Sequence, residues 1–147
     1  MSLRIVDASL TDSYRTDITA RSHGFASDEP TEVGGTDTAP TPVELLLGGL
    51  ASCTAITLRM YAQRKQWPLE AVRVQVHYTA KPTPSAVKHI TMQGALDDTQ
   101  KARMLEIAEK CPVALLLKGT VAMESRLGTD ESPGVAPSMI GSVPPLE

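Results

Sequence analysis

The stretch Thr41-Pro42-Val43-Glu44-Leu45-Leu46-Leu47-Gly48-Gly49-Leu50-Ala51-Ser52-Cys53, continuing to Gln66, decides the fold. Thr41 suits an N-cap, Pro42 the first helical position and Glu44 the first turn, so the chain enters a helix here. The pattern predicts one long helix to about Gln66, ended by Trp67-Pro68. Small and apolar residues surround most of its first half, which predicts burial from several sides. Arg59, Gln63, Arg64 and Lys65 make the second half wetter. Gly48 and Gly49 each cost roughly 1 kcal/mol relative to alanine inside a helix, and close approach by another backbone is the expected reason to keep them.

Upstream, Leu3–Leu10 and Tyr14–Arg21 are β-type runs separated by Thr11-Asp12-Ser13, whose side chains favour a hairpin turn. Residues 22–42, with prolines at 30, 40 and 42, read as an ordered loop with room for one brief strand. Downstream, Val72, Val74, Val76 and Tyr78 alternate with polar residues, and Ile90, Met92, Gly94 and Leu96 repeat the period, which predicts an antiparallel hairpin turning at 81–85. Asp97 or Asp98 caps a second helix through Lys110. Cys111-Pro112-Val113 starts a short third one, and Gly119–Leu127 reads as a final strand. Strands, long helix, two strands, helix and strand in this order fit an α+β fold with antiparallel sheets. One domain over residues 1–127 is expected, followed by a Pro/Gly/Ser-containing tail over 128–147.

The 147 residues carry 14 Lys+Arg against 17 Asp+Glu, a formal charge of −3, so no basic face is expected for nucleic acid. The most apolar run, Val43–Ile56, is shorter than the roughly 20 residues of a membrane span and includes Glu44 and Ser52. The N-terminus has no long apolar signal region, so a cytoplasmic location is expected. No glycine-rich loop follows a strand and opens a helix, and no GxSxG elbow is present. A metal site is not expected: neither cysteine belongs to a CxxC pair, and His23, His77 and His89 fall on three different elements. No cofactor is implied.

The two cysteines, Cys53 and Cys111, are the chemical candidates. Cys53 lies about three turns into the apolar helix, where a cysteine is either a small core residue or a thiol needing a cation. Cys111 precedes Pro112 at an N-cap position, where the positive helix end favours a thiolate. Arg21 and Arg15 are the guanidinium groups outside the wet helix face, and Glu44 is either a first-turn charge or a site residue. Asp28-Glu29-Pro30 reads as a loop turn. In a cytosolic chain, two cysteines 58 residues apart favour a transient redox pair over a permanent staple.

The helix segment from Pro42 to Cys53, taken with Cys111-Pro112-Val113, resembles the OsmC-like family, which includes the organic hydroperoxide resistance proteins. The resemblance runs from about Tyr14 to Leu127. It implies antiparallel sheets around a long central helix in an intertwined homodimer, with active sites at the subunit interface, which would account for the double glycine. It also implies a thiol peroxidase: Cys53 attacks an organic hydroperoxide and becomes a sulfenic acid, and Cys111 condenses with it as a disulfide. An external dithiol, such as a lipoylated protein, then restores the thiols. Arg21 matches the family's arginine in order, and Glu44 neighbours the position of its glutamate, which is Val43 here. That difference keeps open a non-catalytic small-molecule binding module or a thiol redox sensor.

Overall fold

Val6–Ser9 (β1) and Thr16–Ala20 (β2) pair antiparallel, Val6 opposite Ala20, across the predicted turn. The brief strand allowed for in the next segment is His23–Ser27 (β3), which folds back on β2 with Ala20 opposite His23. The computed structural model describes residues 4–128, so the tail from 129 onward lies outside the described residues. Residues 4–45 with 123–128 form one compact unit, and residues 46–122 form the other.

In the first unit, the loop after β3 is organised by one carboxylate. Asp28, only 1% exposed, accepts from the Glu29 and Thr38 backbone N–H groups and from the Thr36 and Thr38 hydroxyls. The Thr36 hydroxyl is the largest of the influences holding the Asp28 carboxyl far below its ordinary range, and burial opposes it. The loop-turn reading of this segment is therefore structural. Gly35 fits where an added Cβ would lie 1.8 Å from the Glu29 carbonyl oxygen.

Pro42–Lys65 form α1, starting and ending close to the predicted limits. A reciprocal cap starts it: Glu44 N–H donates to Thr41 Oγ1 at 3.2 Å, and Thr41 N–H donates to Glu44 Oε2 at 2.8 Å. The helix stops in a Schellman turn, with Gln66 left-handed at φ 56 and Trp67 N–H reaching the Ala62 carbonyl at 2.9 Å. Trp67 then sets its ring edge-on against Tyr61, centroids 5.5 Å apart, the apolar clasp that accompanies this motif.

In the second unit, Leu69–Thr79 (β4) and Ser85–Gly94 (β5) pair antiparallel, with Val72 opposite Met92 and Val74 opposite Ile90. Asp97 caps Asp98–Ala108 (α2) in a capping box with Gln100, and Cys111 caps Pro112–Lys118 (α3). Leu58, Ala62, Leu69, Leu96, Met104 and Ala108 form the main core. The alternating face of the hairpin packs on it through Val72, Ile90 and Met92.

Several expectations change. The first half of α1 is not buried from several sides: its buried residues are one stripe, Leu50, Thr54, Leu58 and Ala62, while Leu46 and Ile56 are half exposed. An added Cβ at Gly48 or Gly49 meets nothing within 4 Å, so no backbone approaches them within the chain. One hairpin and two shorter helices cover only one side of a cylinder. By length and composition the whole helix is long and apolar enough to cross a membrane, a longer run than the sequence pattern suggested. Residues 120–128 contain no strand: they are exposed, with Met123 at 90%, because β-type side chains make a strand only when a partner edge takes their hydrogen bonds. Arg59 is not simply wet either. Its guanidinium donates to the Leu69 and Glu70 carbonyls and ties α1 to the start of β4.

Candidate functional site

α2 ends at Ala108, and the turn Glu109-Lys110 delivers Cys111 in an extended conformation at φ −64. Pro112 fixes the next φ for helix entry, and Cys111 Sγ accepts from Ala114 N–H at 3.4 Å. The thiol is fully buried and packs with Leu50 and Ala114, with Cys53, Val76 and Val113 against them. The two cysteines, 58 residues apart in sequence, thus share one packed cluster.

The first turn of α3 serves both sulfurs. Ala114 N–H donates to Cys111 Sγ, while the backbone at Val113 favours the ionised form of Cys53. Burial nevertheless pushes the Cys53 thiol above its ordinary range, because desolvation outweighs the other influences and favours the neutral form. The neighbouring Cys111 acts in the same direction, while the backbone at Val113 and the nearby Thr57 hydroxyl favour the ionised form.

Two hydroxyls beside the sulfurs were not singled out from sequence. Thr54, fully buried, donates to the Leu50 carbonyl at 2.9 Å and lies 3.4 Å from Cys111 Sγ. With its proton committed to Leu50, the Thr54 oxygen accepts the Cys111 S–H. Thr57 follows Cys53 by one helical turn, and its Oγ1 is buried without a partner among the described residues. The available signal was the presence of two threonines inside an otherwise apolar helix, where they compete with the backbone for hydrogen bonds.

Arg15, Arg21 and Glu44 belong to the unit of residues 4–45, and both cysteines to that of 46–122. Arg15 donates to Thr38 Oγ1 at 2.9 Å and lies 3.8 Å from Asp17. Arg21 is the first residue of the β2–β3 turn with φ 57, a left-handed conformation that favours glycine. The Glu44 carboxylate caps its own helix. His77 and His89, on neighbouring strands, bring their rings to 4.3 Å, a meeting their sequence separation concealed.

An apolar pocket of about 580 Å³ adjoins the dithiol cluster through Leu50 and Ala114, which line it with Leu46, Leu47, Val87 and Leu117. Lys88 and Lys118 flank Glu109 there, at 3.4 and 2.5 Å, and hold its carboxyl below the ordinary range, with the Lys118 hydrogen bond contributing most.

Comparison with known proteins places this arrangement. The family model of OsmC-like proteins matches residues 35–126, which include α1 and both cysteines. An OsmC-like protein from Mycoplasma pneumoniae superposes with a TM-score of 0.69 at 17% identity, covering 80% of this chain and 89% of that one. A Psychrobacter arcticus protein named for osmotic stress induction and a detoxification response gives 0.66 at 22% identity, covering 78% and 88%. An organic hydroperoxide resistance protein OsmC from Legionella pneumophila gives 0.59 at 22% identity, covering 81% and 91%. No curated protein matches the chain. With the family model spanning the long helix, the hairpin and both thiols, and the same fold recurring in these solved structures, the chain belongs to the OsmC-like family.

Proposed function

We propose that this chain is a thiol peroxidase that reduces organic hydroperoxides as a cytoplasmic homodimer. The observation that carries the reading is that Cys53 packs against the cluster holding Cys111 at the first turn of α3. The Cys53 thiolate attacks the distal oxygen of ROOH; the O–O bond breaks, the alkoxide takes a proton to leave as ROH, and Cys53 becomes a sulfenic acid. The Cys111 sulfur then attacks the sulfenic sulfur, its proton leaves with the hydroxyl as water, and a Cys53–Cys111 disulfide forms. An external dithiol, such as a lipoylated protein, returns both thiols and is itself oxidised to a disulfide. Arg21 is assigned the stabilisation of the thiolate, with Glu44 as its acidic partner.

Three features support this reading. The buried Cys111 is protected from oxidants that have not first met the more accessible Cys53. The adjoining pocket is lined by aliphatic side chains, which suits an alkyl hydroperoxide better than a polar one. The half-exposed Leu46 and Ile56, the open space at Gly48 and Gly49 and the exposed 120–128 segment suit burial by a second copy. A second reading, a redox sensor or a non-catalytic binding module, is favoured by the upward push of burial on the Cys53 thiol. Consumption of cumene hydroperoxide with a dithiol reductant in excess decides between them. The peroxidase turns over many times and Cys53→Ser abolishes turnover. One equivalent consumed, or none, contradicts the proposal.

A further inference from the structure

Two threonines of α1 sit beside the dithiol, and their hydroxyls are used differently. Thr54 takes the usual option of a helical threonine and donates to the carbonyl four residues back, Leu50, at 2.9 Å. The same option for Thr57 is the carbonyl of Cys53, and it is not taken: Thr57 Oγ1 is buried with no hydrogen-bond partner among the described residues. A buried hydroxyl without a partner is destabilising, so its retention asks for a state in which it is partnered. Cys53 and Thr57 are separated by four residues on one helix, and this spacing puts their side chains on the same face.

We propose that the Thr57 hydroxyl is held in reserve as the hydrogen-bond donor for Cys53 in its thiolate form. The neutral thiol gains little from Thr57, since sulfur is a weak acceptor, whereas the thiolate gains a charge-assisted bond from a group already desolvated and in place. The effect is selective for the ionised state, which the backbone at Val113 also favours. The titratable neighbour acting on Cys53 in this cluster is Cys111, whose S–H is directed to Thr54 and whose sulfur accepts from Ala114. Thr54 and Thr57 thereby divide the work, Thr54 orienting the resolving thiol and Thr57 receiving the attacking one. The inference rests on Cys53 as the attacking thiol and extends that reading to a residue that positions its charge.

The test is the pH dependence of Cys53 alkylation by iodoacetamide in the full-length chain, followed by peptide mass spectrometry. Thr57→Val preserves shape and removes the donor, and Thr57→Ala repeats the loss with a smaller side chain. Loss of one such bond shifts the midpoint upward by about one pH unit and slows alkylation near neutrality about tenfold. Thr57→Ser restores the wild-type midpoint. An unchanged midpoint in Thr57→Val and Thr57→Ala overturns the inference, as does a Thr57→Ser midpoint shifted as far as that of Thr57→Val, which would trace the effect to packing. The readout needs no peroxide, so absence of peroxide turnover in the wild-type chain refutes the proposed function and leaves this test standing.

Discussion

Replacing Thr54 separates the stability of the dithiol site from its chemistry. The Thr54 hydroxyl makes two contacts, 2.9 Å to the Leu50 carbonyl and 3.4 Å to Cys111 Sγ, and the side chain is fully buried. Thr54→Val keeps the shape and removes the oxygen. The Leu50 carbonyl keeps the helical N–H four residues on, so no acceptor is orphaned, and the net loss is about 1 kcal/mol. Thr54→Ser keeps the oxygen and removes one buried methyl, about 0.8 kcal/mol. The two variants therefore melt within a few degrees of each other, each about 2–4 °C below the wild type. They differ in chemistry. Without the oxygen that accepts the Cys111 S–H, the resolving sulfur loses its fixed orientation, so Thr54→Val accumulates Cys53 sulfenic acid while Thr54→Ser resolves it normally. The assay is one equivalent of cumene hydroperoxide with dimedone present, adducts and disulfide being counted by mass spectrometry. Equal dimedone trapping in Thr54→Val and wild type, or equally high trapping in both variants, would refute the orienting role.

Arg59→Met removes two charge-assisted bonds to the Leu69 and Glu70 carbonyls and costs about 2 kcal/mol, a fall in Tm of about 4–8 °C by calorimetry. Arg21→Gly relieves a left-handed arginine at the β2–β3 turn, raising stability by about 1 kcal/mol in a denaturant melt while lowering peroxide turnover; a stability gain with full turnover would remove Arg21 from the chemistry. Burial raises the Cys53 thiol in the folded chain, so the fold holds that proton more tightly than the unfolded chain does. This contribution is complete below the unfolded value of about 8.5 and is lost as pH rises through the higher folded value. Melting curves from pH 7 to 10 show an alkaline loss that Cys53→Ala diminishes.

Much of this architecture was legible because the decisive signals are local. Thr41-Pro42-Val43-Glu44 specifies a helix start through a reciprocal cap, and Asp97 with Gln100 does the same for α2. The alternation of Val72, Val74 and Val76 with polar residues reports the pleat directly. Cys111-Pro112 was readable as an N-cap for the same reason, although its proximity to Cys53 required the resemblance, since the meeting is made by tertiary packing alone. The misreadings share one cause. Gly119–Leu127 carries strand-type side chains, but pairing is a property of two edges, and an apolar helix circumference does not say which of its faces its own chain covers. Thr54 and Thr57 were passed over because a threonine's role depends on where its hydroxyl proton goes, which periodicity does not encode.

The most direct test of the account is the fate of the two sulfurs after one equivalent of cumene hydroperoxide under non-reducing conditions. A Cys53–Cys111 cross-linked peptide, two hydrogens lighter than the sum of its parts and absent in Cys53→Ser, is the predicted product. Cys53 recovered as a free thiol, with no cross-link to Cys111 and the peroxide intact, would contradict the claim that these two residues form a peroxide-reducing pair.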